Sequence, residues 1–390
     1  MQTLFFSSFI LLFYTYLGYG LLLWLWLKWK KISSPPSVLT GFAREEWPEV
    51  TLVVAAYNEG QCLREKVANT RQLLYPSGKL NLVVVTDGST DGSPEWLSQM
   101  EGVQVMHEPQ RKGKVAAINR AMAAMSSEIV VFSDANTLLP PNSLYRLIAP
   151  FSNAEVGAVA GEKRVMTDSH SQAVGGEGLY WKYESALKRM DAAFHTVVGA
   201  AGELFAIRRK LFKPTPTDTI LDDFMISMHI AALGYKVAYD PEAYAMEKPS
   251  LNMTEELKRK IRISAGGIQS ISRLLPLLNP FRFGKLSFQY ISHRVLRWTL
   301  GPICLLLLWL SNVFLVMNEA TAFYQLSLFM QLFFYGLALA GYLNRSAKVN
   351  IKGFYVPYYF VFMNWALVLG MLRFANGQST AIWEKAQRMN

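Results

Sequence analysis

The sequence predicts an α/β domain, a mostly parallel sheet with helices on both faces, held at a membrane by apolar helices before and after it. Three observations predict this. Short apolar or β-branched runs alternate with stretches of helical length from about residue 50 onward. Polar residues collect where those runs end, which is where ligands sit on parallel sheets. Residues 4–27, 298–317, 320–343 and 354–372 carry no charge at all.

A bilayer core needs about 20 apolar residues in helix, so each charge-free run is a candidate span. The first, within residues 1–30, lacks a basic start and a small-residue cleavage site, so it reads as an anchor rather than a signal peptide. Lys28, Lys30 and Lys31 follow it and, by the positive-inside rule, place the next domain in the cytoplasm at the inner (plasma) membrane. Residues 31–48, containing ISSPPSVLTGF, read as a linker.

Within residues 49–252 the strands are TLVVAAY, LNLVVVTD, GVQVMHE, EIVVFSDA and GAVAG, with GKVAAINRAMAAM as an intervening helix. Residues 169–193 set Trp181, Tyr183 and Leu187 at helical spacing. VVGAAGELFAIRR reads as a loop feeding a strand. DDFMISMHIAALG reads as a helix with acids in its first turn, and YKVAYDPEA as a strand. Residues 253–297 form amphipathic segments, 298–374 three membrane or membrane-embedded helices, and 375–390 a tail. The run 354–372 is interrupted by Pro357 and Asn364; it is read as a full crossing, with an interfacial course as the alternative.

The formal charge of +10 is local. Residues 257–297 hold nine Lys or Arg and no acid, which points to anionic membrane lipids as a partner and not to nucleic acid. Two cysteines, Cys62 and Cys304, give no disulfide or metal framework.

The chemistry-bearing residues sit at strand ends and helix starts. VVVTDGSTDGS ends a strand in Asp87, which can accept from a base or a ribose; a plain turn with a helix cap is the alternative. SDAN sets Asp134 and Asn136 one residue apart beyond a buried strand. Strand-end acids of this kind hold Mg²⁺ or Mn²⁺, with substrate phosphates completing the shell. An amide in second place keeps an oxygen donor but drops a charge. LDDF offers Asp222 and Asp223, of which one can serve as a general base. Lys112 and Lys114 flank a glycine before a helix, suited to a phosphate or a base edge.

In this order the motifs resemble the membrane-bound family 2 glycosyltransferases, the group of the cellulose, hyaluronan and chitin synthases. The resemblance covers roughly residues 48–275 and implies a GT-A type, Rossmann-like nucleotide-diphospho-sugar transferase fold. VVAAYNEG implies nucleotide contacts at Ala56, Tyr57 and Glu59, VVVTDGSTDGS a uridine-binding acid at Asp87, and GKVAAIN a donor contact at Lys114. SDAN implies Asp134 and Ala135 in the donor site and a metal on Asp134 and Asn136. GAAGELFAIRR resembles the acceptor loop, at Gly202 and Glu203, and LDDF places the catalytic base at Asp223 beside Asp222. KRKIRISAG resembles the Q-x-x-R-W diphosphate clamp, with Arg262 in the arginine's place, Arg259 in the glutamine's and Ile263 in the tryptophan's. The missing tryptophan puts processive growth in doubt.

The resulting expectation is inverting transfer from a UDP-sugar to a lipid, lipid-linked or growing saccharide acceptor at the cytoplasmic membrane face. The alternatives are a processive polysaccharide synthase that also exports its polymer, and a non-catalytic membrane subunit with a degenerate transferase domain.

Overall fold

The structure, a computed structural model, describes residues 1–32, 46–166, 174–319, 321–344 and 352–378. Most of the linker, residues 169–173 of the expected helix and the tail beyond 378 lie outside the described residues.

The chain opens with one long helix, α1 (Gln2–Trp29). The sheet domain then runs β1 (Val50–Ala56), α2 (Gly60–Thr70), β2 (Leu80–Asp87), α3 (Ser93–Ser98), β3 (Val103–Glu108), α4 (Lys114–Ala124), β4 (Ile129–Ser133), β5 (Thr137–Leu138) and α5 (Ser143–Ile148). It continues through β6 (Val156–Val165), α6 (Val174–Phe194), β7 (Leu204–Arg208), α7 (Asp222–Ala232) and β8 (Lys236–Glu247). After it come α8 (Met253–Arg273), α9 (Lys285–Tyr290), α10 (Leu300–Glu319), α11 (Ala322–Leu343) and α12 (Lys352–Ala375).

The eight strands form one sheet in the order β3-β2-β1-β4-β7-β6-β8-β5. β3, β2, β1 and β4 are parallel neighbours; β1, β2 and β4 carry the near-continuous apolar runs of strands buried on both faces, and β3, VQVMHE, is the partly exposed edge. The expected mostly parallel sheet holds for that half only. β7 runs antiparallel between β4 and β6, and β5 pairs antiparallel with β8. The second half lacks the strict strand–helix alternation that parallel crossovers need, and the sheet is mixed there.

Alternation along β1 divides the core in two. Val53 and Ala55 face a cluster with Ile118 of α4 and Phe224, Met225 and Met228 of α7. Leu52 and Val54 face the other, with Leu63 and Val67 of α2 and Leu144 and Leu147 of α5. All of these are nearly or fully buried. Ile271, Leu274, Leu277 and Tyr290 join the first cluster, which fastens the segment after α8 to the domain.

The basic segment 257–297 corrects the sequence reading. Most of its cations turn inward: Arg294 and Arg297 each reach Glu184 of α6 at 2.8 Å, and Arg273 reaches Asp218 at 2.6 Å. His293, fully buried, stands between Glu184 and Asp191, and Tyr19 of α1 donates to Asp191. Buried acids on α6 need counter-charges, and this segment supplies them. Lys258, Arg282 and Lys285 are its exposed cations.

Four helices, α1, α10, α11 and residues 353–375 of α12, are long and apolar enough to cross a membrane.

Candidate active site

The turn after β1 is set by Asn58, held at φ +52° by accepting from the Thr90 N–H at 2.8 Å and donating its own N–H to Ser89 Oγ at 3.1 Å. Asparagine tolerates that left-handed backbone better than most residues. Ala56 is buried at the end of β1, Tyr57 lies under the Arg111 guanidinium at 3.7 Å, and Glu59 begins α2. The two strand-end turns are thereby locked together.

Asp87, at the end of β2, is almost fully buried. Its Oδ2 accepts the backbone N–H groups of Lys112 and Gly113, at 2.9 and 2.6 Å. Among the described residues its Oδ1 accepts no hydrogen bond, and Arg120 Nη1 stands 3.9 Å away. A buried carboxylate oxygen without a donor is a costly feature in a finished fold and a useful one toward a ligand N–H. Gly88 is required here for two reasons: its φ is +73°, and a Cβ would lie 2.8 Å from the Arg111 nitrogen.

Lys114 opens α4 and draws the acids together. Its Nζ donates to Asp134 Oδ1 at 2.7 Å and stands 3.8 Å from Asp222 Oδ2. Burial works against that ammonium, but Asp134 and Asp222 more than offset it and hold it protonated. Ala135 is buried in the turn, and Asn136 donates its amide to Glu247 Oε1 at 3.3 Å.

Asp222 and Asp223 occupy the first turn of α7, where the helix dipole favours negative charge. Burial first, and the neighbouring Asp222 second, push the Asp223 carboxyl up to about 7. The expected acceptor loop lies directly on it: a Cβ at Gly202 would be 3.2 Å from Asp223 Oδ2. Gly199, at φ +86°, lets this loop pass against the Phe224 ring, and the Ala200 N–H donates to Ser227 Oγ at 2.9 Å. Glu203 turns to Lys163 at 2.9 Å; burial alone would raise it, but Lys163 and then Arg259 hold it well below the usual carboxylate range.

The two expected clamp arginines part ways. Arg262 lies among Asp222, Asp134 and Asp223, and no hydrogen bond or ion pair among the described residues holds it. Arg259 is committed elsewhere, its Nε and Nη2 taking both oxygens of Glu256 at 3.0 and 2.9 Å. A guanidinium spent on its own helix is not available as a phosphate clamp, so the reading of Arg259 is corrected.

Sequence reasoning missed three residues. Lys66, fully buried on α2, donates to Ser133 Oγ at 2.7 Å, Thr137 O at 2.9 Å and Thr137 Oγ1 at 3.2 Å. Ser133 donates onward to Glu203 O and Thr137 to Asp134 O, so all three neighbours act as acceptors and call for three N–H groups. Lys66 therefore braces the turn after β4 and, through Ser133, the loop at Glu203 together. Burial pushes it down to about 7, while Asp134 pulls it upward. Lys163 and Glu247, both buried, pair beside Asn136 and Glu203. A charge inside an otherwise helical pattern was the only available signal for Lys66.

The described residues contain no cluster of three His, Cys, Asp or Glu side chains fit to bind a metal ion unaided. One carboxylate and one amide oxygen, from Asp134 and Asn136, are hard donors that suit Mg²⁺ or Mn²⁺ once phosphate oxygens join them. The donor set fits such an ion as a partner of substrate.

Residues 51–215 match the family model described as Glycosyl transferase family 2. Over those residues, under half of the chain, it is similar to family 2 glycosyltransferase domains. Among curated relatives, the poly-beta-1,6-N-acetyl-D-glucosamine synthase of Staphylococcus aureus (strain COL) is 24% identical over 241 residues, 59% of this chain and 57% of that protein. The synthase of Staphylococcus epidermidis is 22% identical over 247 residues, 61% and 59% of the two chains. The matched region thus spans under two thirds of those relatives' length. The solved mannosyltransferase PcManGT from Pyrobaculum calidifontis, in complex with GDP-Man and Mn²⁺, superposes with a TM-score of 0.70 at 22% identity, covering 95% of this chain and 99% of its own. That likeness shows the fold alone, a GT-A-like α/β transferase domain.

Proposed function

We propose that the chain is an inverting glycosyltransferase moving a sugar from a UDP-sugar to a lipid or lipid-linked acceptor at the cytoplasmic membrane face. One observation carries the reading: Asp223, a carboxyl pushed up to about 7, stands against the Gly202 loop in the same cleft as Asp134, Asp222 and Arg262. A base near neutrality beside a cation-lined phosphate site suits proton removal from a hydroxyl nucleophile.

In this mechanism Asp87 Oδ1 accepts an N–H of the base, with Tyr57 and Arg111 alongside. Asp223 takes the proton of the acceptor hydroxyl. The hydroxyl oxygen bonds to the anomeric carbon from the face opposite the diphosphate, and the bond from that carbon to the phosphate oxygen breaks, its electron pair leaving with UDP. Arg262 and Lys114 offset the charge gathering on the diphosphate. Asp134 and Asn136 would hold a divalent cation, which when bound adds further charge stabilisation there.

The curated relatives favour a second reading, a processive polysaccharide synthase. Against it stands Ile263, where the clamp segment of the polymer-forming enzymes carries tryptophan. Purified enzyme in membrane lipid, supplied with a panel of UDP- and GDP-sugars, separates the readings by nucleotide release and product length. One or two added sugars from a UDP donor fit the proposal; long polymer overturns it in favour of the second. Absence of any nucleotide release overturns both.

A further inference from the structure

Asn136 offers the donor site an oxygen without a charge, and its contact with Glu247 gives that choice a physical reason. β5, only two residues long, follows Asn136 directly and pairs antiparallel with Met246 and Glu247 at the end of β8. Glu247 is held from its other side as well, opposite Val165 of β6, and its carbonyl accepts the Met166 N–H at 2.8 Å. The Glu247 side chain therefore stands on a strand fixed at both edges, and only 2% of the residue is exposed.

Asn136 Nδ2 donates to Glu247 Oε1 at 3.3 Å. A carboxylate offers only acceptors, so the contact admits one orientation of the amide, with nitrogen toward Glu247 and oxygen away from it. Among the described residues that Oδ1 accepts no hydrogen bond, and Asn136 is partly exposed in the turn that carries Asp134. A terminal amide with no such partner turns readily about its last bond, and in one of its two settings it shows N–H groups to a cation.

Glu247 would be a costly charge at this depth by itself. Lys163, also buried, pairs with it and reaches Glu203 at 2.9 Å. Beside them Glu256 takes Arg259 at 2.9 Å and Lys260 at 3.5 Å, and the Arg259 charge also acts on Glu247 and Glu203. Glu203, Glu247 and Glu256 thus face Lys163, Arg259 and Lys260. An aspartate at position 136 would set one more carboxylate against Glu247, where the amide now makes a bond.

We infer that Glu247 is a positioning residue for the donor site: it locks the Asn136 amide with its oxygen free for the cation that accompanies the diphosphate. Its charge is also what makes an amide, rather than a second acid, the fitting partner at position 136. The inference rests on the proposed donor site at Asp134 and Asn136 and deepens it. Through Lys163 the same carboxylate is tied to the loop at Glu203.

The test titrates the full chain in detergent with Mn²⁺ in the presence of UDP, and follows free ion by its electron paramagnetic resonance signal, so no turnover is needed. Melting curves report folding of each variant. Asn136→Ala should weaken Mn²⁺ binding about tenfold while leaving metal-free UDP binding unchanged. Glu247→Gln, whose own amide can meet either face of Asn136, should also weaken it about tenfold. In Asn136→Asp both oxygens are donors and no orientation can be lost, so adding Glu247→Gln there should leave Mn²⁺ binding equal or tighter. A purely structural role for Glu247 would instead give the same effect in both backgrounds. Effects of Glu247→Gln that agree within about threefold with and without Asn136→Asp overturn the inference. Unchanged Mn²⁺ affinity in Asn136→Ala overturns it too, and that variant decides even where the buried Glu247→Gln does not fold. Both results leave the donor site standing on Asp134, whereas a wild-type protein that takes up no Mn²⁺ with UDP overturns the donor-site reading together with the inference.

Discussion

Replacing Asp222 with Asn isolates what the neighbouring carboxylate does to the proposed base. Burial is the larger cause of the raised Asp223 carboxyl and survives the change; the like charge of Asp222 does not. A unit charge at about 5 Å in an effective dielectric of ~20 is worth about 3 kcal/mol, or about two pKa units, which bounds the effect from above. In the wild-type protein kcat/KM should rise with pH to about 7, where Asp223 becomes ionised, and then level off. In Asp222→Asn that limb should move to lower pH by about one to two units. Asp223→Asn should abolish the limb and lower the plateau by roughly 10²–10⁴-fold, about 3–5 kcal/mol. The stability sign is fixed as well. A carboxyl raised from 3.8 to about 7 on folding contributes stability that is present below its unfolded value and lost as pH rises through about 7. Asp223→Asn should therefore resist heat at about pH 8 at least as well as wild type. Nucleotide release between about pH 5 and about pH 9, with a thermal-inactivation series beside it, reads all three. An unmoved limb in Asp222→Asn, or near-normal turnover in Asp223→Asn, refutes the reasoning.

Arg262→Ala should lose roughly 10–100-fold in kcat/KM through missing charge-assisted bonds to the diphosphate, while Arg259→Ala should mainly lower thermal stability, as steady-state kinetics and melting curves on both variants will show. Gly202→Ala should cut kcat about tenfold with donor KM nearly unchanged, because the new methyl displaces the Asp223 carboxylate by a few tenths of an ångström; a donor titration separates the two constants. Lys66→Met should cost roughly 1–3 kcal/mol, since Thr137 O loses its donor and so do the Ser133 and Thr137 hydroxyls, whose own hydrogens already go to Glu203 O and Asp134 O; denaturation in detergent measures it. Gly370→Leu should pry α12 from α8 and raise donor KM through Arg262, in kinetics compared with a Gly353→Leu control where a Cβ meets nothing.

The parts legible in the sequence were those with a local cause. Unbroken apolar runs placed β1, β2 and β4, which are buried on both faces, and the short run VQVMHE bounded by turn residues placed the edge strand β3. Turn chemistry placed Asp87, Asp134 and Asp223 at strand and helix ends, where the structure has them. What escaped depends on side-chain pairing, once within a single helix and otherwise with partners far along the chain. Arg259 looked like a clamp until its guanidinium met Glu256, and Arg294 and Arg297 looked like headgroup contacts until Glu184 claimed them. Nothing near Lys66 announces that its ammonium ends under a turn about 70 residues away. β7 runs against its neighbours although its own five residues read like any buried strand.

An experimental structure with UDP and Mn²⁺ bound tests the central claim most directly, namely that these separate acids serve one donor site. The account predicts the base against Asp87 Oδ1, the diphosphate between Asp134 and Arg262, and the position of the missing sugar open toward Asp223. Nucleotide seated anywhere else, or a bound diphosphate that leaves Asp134 and Arg262 untouched, contradicts it.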